Sequence, residues 1–185
     1  MPPSAVLLLT GSPGTGKTTV APLVADLHEH SVWLDLDWFF SKLRRGAIDP
    51  WRDEAHAQNR AVLHAAAEAC AAFAAEGYLT VAEGIIYPFM LDLFVTAGAP
   101  HGIDLHYAVL RAPKEVVHQR VVGRLDEPQH AGALADTRVV DDLWGQFESQ
   151  GTEGRHLVEV GEHGPEEVAE EIDRRFRSGE FLLRT

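Results

Sequence analysis

Cysteine is almost absent from this chain of 185 residues, and that scarcity excludes a disulfide-stapled fold. The one cysteine, Cys70, lies in an alanine-rich stretch and fits a small buried side chain better than a nucleophile. Long apolar runs are also missing, since none approaches the roughly 18 residues of a membrane span. Residues 1–10 lack the basic segment and cleavage site of a secretory signal. We therefore expect a cytoplasmic protein that does not engage a membrane.

Positive charge is scarce as well. Lysine and arginine together number 16 against 28 acidic residues, which gives a formal net charge of −12. Binders of nucleic acid or anionic membranes need clustered positive charge, so this balance argues against both. A small anionic ligand is still compatible with it, because a local nest of N–H groups can overcome a negative field. Apolar residues make up 45% of the chain, which is ordinary for a globular protein. The length predicts one domain over residues 1–185.

Short apolar runs alternate with longer helical segments along the chain. The pattern predicts strands at residues 5–10, 32–37, 78–82, 103–110 and 156–160. It predicts helices from the first loop to about residue 30, from Asp49 to the stop at Gly77, and at about 113–124, 136–147 and 165–178. This rhythm is typical of an α/β fold with a parallel sheet covered on both faces.

The most specific motif follows the first strand. Gly11-Ser12-Pro13-Gly14-Thr15-Gly16-Lys17-Thr18 satisfies the pattern G-x-x-x-x-G-K-[ST]. Glycines let backbone N–H groups turn toward phosphate oxygens, and the next helix adds the positive end of its dipole. Lys17 would reach the β- and γ-phosphates, and Thr18 would bind Mg²⁺. We therefore predict an ATP site formed by residues 11–18 with Thr19.

Two aspartates end the second predicted strand, in Asp35-Leu36-Asp37. Strand alternation would place both on one face, at the edge where ligands bind in open α/β sheets. This predicts Asp35 as a partner of Mg²⁺ and Asp37 as the base that accepts a substrate hydroxyl proton. Asp37 as a helix cap is the alternative. Glu83 ends the third strand, and it could instead hold a Mg²⁺-bound water, grip a substrate hydroxyl or act as the base.

The phosphate loop, the D-x-D segment and a later Arg-x-x-x-Arg pair together resemble the small P-loop kinases. These include shikimate kinase, gluconate kinase, adenylylsulfate kinase and chloramphenicol phosphotransferase. The resemblance implies a five-stranded parallel sheet of order 2-3-1-4-5, with the metal and base roles on Asp35 and Asp37. Shikimate kinase has G-G-G after its third strand, where this chain has Glu83-Gly84-Ile85-Ile86-Tyr87. That departure argues against shikimate as the substrate.

Arg120 and Arg124 form the Arg-x-x-x-Arg pair, four residues apart on one predicted helix. In the resembling kinases, arginines here stack on adenine or clamp the transferred phosphoryl group from a closing lid. The resemblance thus implies a nucleotide-binding Arg120, a catalytic Arg124 and a mobile lid at about 125–136. A solvated helix face is the alternative for both arginines.

The acceptor pocket is predicted between the second strand and the helices that follow. Phe40, Arg44, Arg52, Glu83 and Tyr87 are its leading candidates. Further candidates are Trp38, Phe39, Arg45, Trp51, Asn59, Arg60 and Phe89. The aromatic residues favour a large apolar alcohol such as an antibiotic, whereas the arginines favour a sugar acid.

These features predict an ATP- and Mg²⁺-dependent kinase that phosphorylates a hydroxyl of a small molecule, as a monomer or homodimer. Two alternatives stay open. One is a nucleotide-binding switch or regulatory module without transfer. The other, disfavoured by the negative charge, is a kinase of nucleic-acid 5′ ends.

Overall fold

The computed structural model describes residues 4–124, 136–150, 152–161 and 163–183. The predicted lid at 125–136 lies outside the described residues except for Asp136, and so does the side chain of Arg124. Within the described ranges, no helix has the length and hydrophobicity needed to cross a bilayer.

Five strands form one parallel sheet in the order β2-β3-β1-β4-β5. Their bounds are β1 (Ala5–Gly11), β2 (Ser31–Asp35), β3 (Leu79–Glu83), β4 (Asp104–Arg111) and β5 (Leu157–Glu159). The order and the parallel direction confirm the predicted fold class. Because all five strands run the same way, their carboxyl ends meet at one edge of the sheet, where α/β proteins bind their ligands.

Helices cover both faces of this sheet. They are α1 (Lys17–Asp26), α2 (Leu36–Ser41), α3 (His56–Ala75), α4 (Leu91–Gly98), α5 (Lys114–Arg124), α6 (Thr137–Ser149) and α7 (Pro165–Arg177). Side chains alternate along β1, so Leu7 and Leu9 pack with α1, α5 and α7, while Val6 and Leu8 pack with α3 and α4. Burial on both faces explains why β1 is a continuous apolar run.

The second predicted strand is two residues too long. β2 ends at Asp35, and Leu36 already begins α2. The Asp35 carboxylate accepts a hydrogen bond of 2.8 Å from the N–H of Asp37, which makes Asp35 the N-cap of α2. Helix capping in this segment is thus performed by Asp35 and not by Asp37. Strand alternation, which was the argument for placing the two carboxylates together, does not extend to Asp37.

Two helices also differ from the prediction. α3 begins at His56 and not at Asp49. Ile48 and Pro50 are instead hydrogen-bonded to side chains of its first turn. Gln58 bonds both the N–H and the carbonyl of Ile48, at 2.8 and 2.6 Å. α4 was not predicted, since its eight residues are too few to show a helical period. Both differences lie beside the predicted acceptor pocket.

Candidate active site

The phosphate loop joins β1 to α1 at the carboxyl edge of the sheet. Gly14 and Gly16 have φ values of 83° and 95°, a backbone conformation that residues with a Cβ rarely adopt. Gly16 is the N-cap of α1 and offers no side-chain hydrogen bond to the first turn. The N–H of Thr19 donates to the Gly16 carbonyl at 3.0 Å, and the positive end of the helix dipole favours an anion at this turn.

Close packing explains two of the loop glycines. A Cβ on Gly11 would stand 2.4 Å from the carbonyl oxygen of Leu110, and one on Gly14 would stand 2.8 Å from that of Val117. Both neighbours are backbone atoms, so a side chain at either position would displace the loop from β4 or α5.

The other loop side chains divide into two groups. Ser12 and Thr15 are only 2% exposed, and the Thr15 hydroxyl donates to the Ser12 carbonyl at 2.8 Å. The Thr15 side chain thus helps to hold the loop together. Because both side chains are buried, any contact of these two residues with a nucleotide would be made by the backbone. Thr18 and Thr19 lie exposed in the first turn of α1, where their hydroxyls can reach a ligand.

Lys17 lies against the mouth of the loop. Its Nζ donates to the carbonyls of Gly11 and Ser12 at 2.9 and 3.1 Å. Its charge lowers the pKa of both Asp37 and Glu83, so all three belong to one electrostatic site. A cation that bonds loop carbonyls and faces carboxylates is placed to meet the outer phosphates of a nucleotide.

Glu83 is the most buried acid of the site, with 3% of its surface exposed. It is paired in register with Asp35 across β2 and β3, so the two side chains leave the sheet on the same face. Burial, with smaller contributions from the carboxylates of Asp35 and Asp37, raises the pKa of Glu83 to about 7 against the opposing charge of Lys17. A hydrogen bond to the Thr18 side chain acts the other way.

The segment after Glu83 is held from both sides. The Ile86 N–H donates to the Thr10 hydroxyl at 2.9 Å, and the Tyr107 hydroxyl donates to the Ile86 carbonyl at 2.8 Å. The N–H and the carbonyl of Ile86 are thus both hydrogen-bonded to neighbouring strands. Glu83 and Tyr87, on either side of Ile86, are positioned by these bonds.

Asp37 keeps contact with solvent at the edge of the cavity described below. Partial desolvation raises its pKa above the ordinary value, the Lys17 charge opposes this, and the Asp35 charge adds to it. A carboxylate with a raised pKa is a better proton acceptor than an ordinary aspartate. The helix start therefore brings Asp37 to the predicted place, although not by strand alternation.

A magnesium ion fits the oxygen groups that meet here. No group of three or more His, Cys, Asp or Glu side chains within the described ranges forms a ready-made metal cage. Mg²⁺ does not require one, because it usually takes one or two carboxylates together with phosphate oxygens and waters. The exposed Thr18 hydroxyl and the carboxyls of Asp35 and Glu83 are oxygen donors of the right kind.

A cavity of about 880 Å³ begins at the phosphate loop and runs past the acids toward α3 and α4. Of the leading candidates for the acceptor pocket, Phe40, Arg52, Glu83 and Tyr87 line it, whereas Arg44 does not. Among the further candidates, Trp51, Asn59, Arg60 and Phe89 line it, and Trp38, Phe39 and Arg45 do not. Arg44 and Arg45 are exposed residues that follow α2.

Sequence reasoning missed several lining residues: Asp53, His56, Leu63, Met90, Leu93, Leu143 and Gln146. Most of them belong to α3, to α6, or to the α4 region that was not predicted. Apolar side chains on such helices look like ordinary core positions in a sequence. A correct placement of α4 is the signal that would have revealed Met90 and Leu93.

Arg120 lies between the phosphate loop and the end of β5. Its two guanidinium nitrogens lie 3.5 Å from the Gly14 carbonyl and 3.4 Å from the Val160 carbonyl. These long contacts tie α5 to the loop, and they leave the flat guanidinium beside the predicted nucleotide site. The predicted partner of Arg120, Arg124, cannot be placed in the site, since its side chain is outside the described residues.

No protein-family model matches the chain, and no curated protein matches its sequence. Solved structures do match its fold. A sugar kinase from a Janibacter species is similar over 95% of both chains, with 20% identity and a TM-score of 0.68. The adenylylsulfate (APS) kinase of Mycobacterium tuberculosis, solved with AMPPNP and APS, is similar over 96% of this chain and 99% of its own. Its identity is 17% and its TM-score 0.65.

A chain of an RNA repair complex is also similar, with 16% identity and a TM-score of 0.63 over 81% of this chain and 46% of that one. The kinase matches, in contrast, extend over nearly the whole of both chains. The sequence-based prediction of the fold is confirmed by these likenesses: the chain has the fold of the small P-loop kinases.

Proposed function

We propose that the chain is an ATP- and Mg²⁺-dependent phosphotransferase that moves the γ-phosphate to a hydroxyl of a small molecule. One observation carries this proposal. The phosphate loop, with its uncapped helix end, and the acids Asp37 and Glu83 open into the same cavity of about 880 Å³. That volume extends well beyond the loop and so leaves room for an acceptor next to the phosphates.

The nucleotide half of the site follows from the loop. Backbone N–H groups at the start of α1 and the Lys17 ammonium would hold the phosphates. Thr18 and Asp35 would hold Mg²⁺, which supplies neutralisation of phosphate charge when it is bound. Arg120, which lies against Gly14, would face the nucleotide. A clamping role for Arg124 stays a prediction.

Asp37 is the proposed base. The acceptor hydroxyl would give its proton to the Asp37 carboxylate as its oxygen forms the new bond to phosphorus, while the bond from phosphorus to the bridging oxygen breaks and ADP leaves. Asp37 borders the cavity and keeps solvent contact, so an acceptor can reach it. Glu83 is the alternative base, although its deeper burial beside Thr18 suits a partner of the metal better.

A labelled-phosphate screen tests this function. The purified chain is incubated with Mg²⁺ and ATP labelled in the γ-phosphate, against sugars, sugar acids, aromatic alcohols and a 5′-hydroxyl oligonucleotide. We expect one small alcohol to stimulate ADP release and to take up the label, and the Lys17→Ala variant to show neither. ATP binding without transfer to any acceptor would favour the switch. Labelling of the oligonucleotide alone would favour the nucleic-acid kinase.

Location and assembly stay predictions: a cytoplasmic protein, either monomer or homodimer, without nucleic acid or membrane as partner. Light scattering on a size-exclusion column would determine the assembly directly. A large net negative charge keeps such a chain soluble, but it does not distinguish one copy from two.

A further inference from the structure

The end of the cavity away from the phosphate loop is walled mainly by aromatic and apolar side chains. The Tyr87 ring stacks on Phe89, with centroids 5.6 Å apart and planes at 18°, and it also meets Phe147 at 4.8 Å. Phe89 is 65% exposed, so a broad aromatic surface borders the open space of the cavity. Exposing such a ring to water is unfavourable, and a flat apolar ligand would cover it.

The two arginines at this end each lie close to an acid. Arg52 lies 3.6 Å from Glu54, and Arg60 lies 3.4 Å from Asp92. Asp53 adds a further negative charge to the cavity lining. An acceptor that carries a carboxylate would share either arginine with an acid and would sit near Asp53, and these negative charges disfavour a sugar acid.

Two uncharged polar atoms at this end lack a hydrogen-bond partner among the described residues. Among the described residues, Asn59 Oδ1 and the Tyr87 hydroxyl are buried without a hydrogen bond. The amide nitrogen of Asn59 donates to the Pro50 carbonyl at 2.6 Å. A buried polar atom without a partner costs free energy, and a rotation of either side chain toward the cavity would let the O–H or N–H group of a ligand remove that cost.

We propose that the acceptor is a neutral alcohol with a flat aromatic or apolar body and a hydrogen-bond donor. Its body lies against Phe89, its donor meets Asn59 or Tyr87, and its hydroxyl points toward Asp37. This rests on the proposed function, which leaves the acceptor class open. The sequence left two acceptor classes open, and this proposal selects the apolar alcohol over the sugar acid.

Binding is measured separately from transfer. The full chain, loaded with Mg²⁺ and a non-hydrolysable ATP analogue, is titrated with N-acetylphenylalaninol, which has a ring, an amide N–H and a neutral hydroxyl. N-acetylalaninol lacks the ring, and gluconate is an anionic polyol. We expect saturation transfer from the protein to the ring protons of N-acetylphenylalaninol, and at least about threefold weaker binding of the other two compounds.

The matched variants are Phe89→Ala and Phe73→Ala. Phe73 is an exposed ring on α3 that does not line the cavity. Loss of the Phe89 ring should weaken binding of N-acetylphenylalaninol about threefold to tenfold, whereas loss of Phe73 should not change it. Because both rings are exposed, both variants should fold, which thermal unfolding checks.

Three results would overturn the proposal: equal binding by Phe89→Ala and the wild type, tighter binding of gluconate, or no binding of the aromatic alcohol. Its failure and that of the kinase function are distinguishable. Phosphate transfer to gluconate would refute the neutral acceptor and keep the kinase. Aromatic binding that depends on Phe89, without transfer to any compound, would keep the specificity and refute the kinase.

Discussion

The two ends of the cavity, the phosphate end at the loop and the acceptor end near Phe89, differ in the chemical groups that form their surfaces. At the phosphate end, backbone N–H groups, glycines and one lysine form the surface, and the buried Thr15 hydroxyl donates a hydrogen bond to the Ser12 carbonyl. At the acceptor end, side chains from separate elements form the surface, and two buried polar atoms among the described residues lack partners. The binding groups of the first end belong mainly to the backbone, and those of the second belong to side chains.

The difference indicates where function can vary. Backbone donors are the same for every sequence, so anion binding at the phosphate end depends on loop conformation, and a Cβ at Gly11 or Gly14 would disturb it. The acceptor end depends on the identity of each side chain. Changes at the first end should abolish turnover. Changes at the second should shift specificity and can even increase stability.

Lys17→Ala should have the largest effect. It removes the cation beside the loop carbonyls, and with it the charge that would meet the outer phosphates. Loss of one such group typically lowers turnover by about 10²–10³, and we expect the upper end, since the developing charge is on the phosphoryl group. Steady-state kinetics of transfer would measure it. Lys42→Ala, an exposed lysine at the end of α2 that lies over the Trp38 ring, is the matched control. Equal loss in both variants would contradict a specific role.

Asp37→Asn should follow, with kcat lowered about 10²-fold. Orientation and charge neutralisation supply much of phosphoryl-transfer catalysis, so the loss belongs at the low end of the range for a general base. The change keeps the backbone N–H that bonds Asp35, and α2 should therefore persist. Nucleotide affinity should stay nearly constant, as calorimetry would show. Asp53→Asn removes an acid elsewhere in the cavity lining and is the control. A rate for Asp37→Asn within about threefold of wild type would transfer the role to Glu83.

Glu83, at the same end of the cavity, should make the free energy of unfolding depend on pH. Burial raises its pKa from 4.5 to about 7 in the folded chain. Between these values the folded state holds a proton that the unfolded state has lost, so the free energy of unfolding falls as pH rises, by at most about 3 kcal/mol. Glu83→Gln should remove this fall, and it should be more stable than the wild type at pH 8. Denaturant unfolding with EDTA present, from pH 4.5 to 8, measures the difference.

Because His106 also titrates, the effect of Glu83 has to be measured as the difference between the wild type and Glu83→Gln. Burial lowers the pKa of His106 to about 4, so its contribution to the free energy of unfolding rises with pH between about 4 and 6.5, opposite in sign to that of Glu83. Because wild type and Glu83→Gln both contain His106, its effect cancels in the difference between them. A difference that does not change with pH would show that Glu83 titrates normally in the folded chain.

The phosphate end could be predicted from the sequence because its signal is local. Eight consecutive residues, 11–18, specify the loop, and the apolar run before them specifies the central strand. The acids were correctly placed at the sheet edge, but the argument for Asp37 was wrong in detail, since Asp35 ends β2 and caps α2. At the end of β2, Asp35 accepts a hydrogen bond from the N–H of Asp37, and side-chain alternation does not reveal this contact.

The acceptor end was predicted only in part because its residues come together through tertiary structure. Phe40, Arg52 and Tyr87 line the cavity as predicted, and Arg44 does not. Arg44 lies in the exposed segment after α2. The two hydrogen bonds between Ile48 and Gln58, ten residues apart, place the segment between α2 and α3, and no local pattern predicts them. Some apolar side chains of α3 and α4 pack in the core and others line the cavity. Their spacing in the sequence is the same for both, so the pattern does not distinguish them.

Tyr87→Phe should have the smallest effect. The substitution should increase the free energy of unfolding, whereas changes at the phosphate end should impair turnover. Tyr87 is 5% exposed, and its hydroxyl is one of the unpartnered atoms of the described region. Removing that hydroxyl relieves the cost of burying it and keeps the ring stacked on Phe89, so the free energy of unfolding should rise by about 1 kcal/mol. Tyr107→Phe is the control, because its hydroxyl donates to the Ile86 carbonyl at 2.8 Å and the same change should cost about 1 kcal/mol. Urea unfolding of the nucleotide-free chain measures both, and destabilisation of equal size in the two variants would show that the Tyr87 hydroxyl is satisfied in solution. If Tyr87→Phe is more stable but binds N-acetylphenylalaninol more weakly, the Tyr87 hydroxyl lowers the stability of the chain and contributes to recognition of the acceptor.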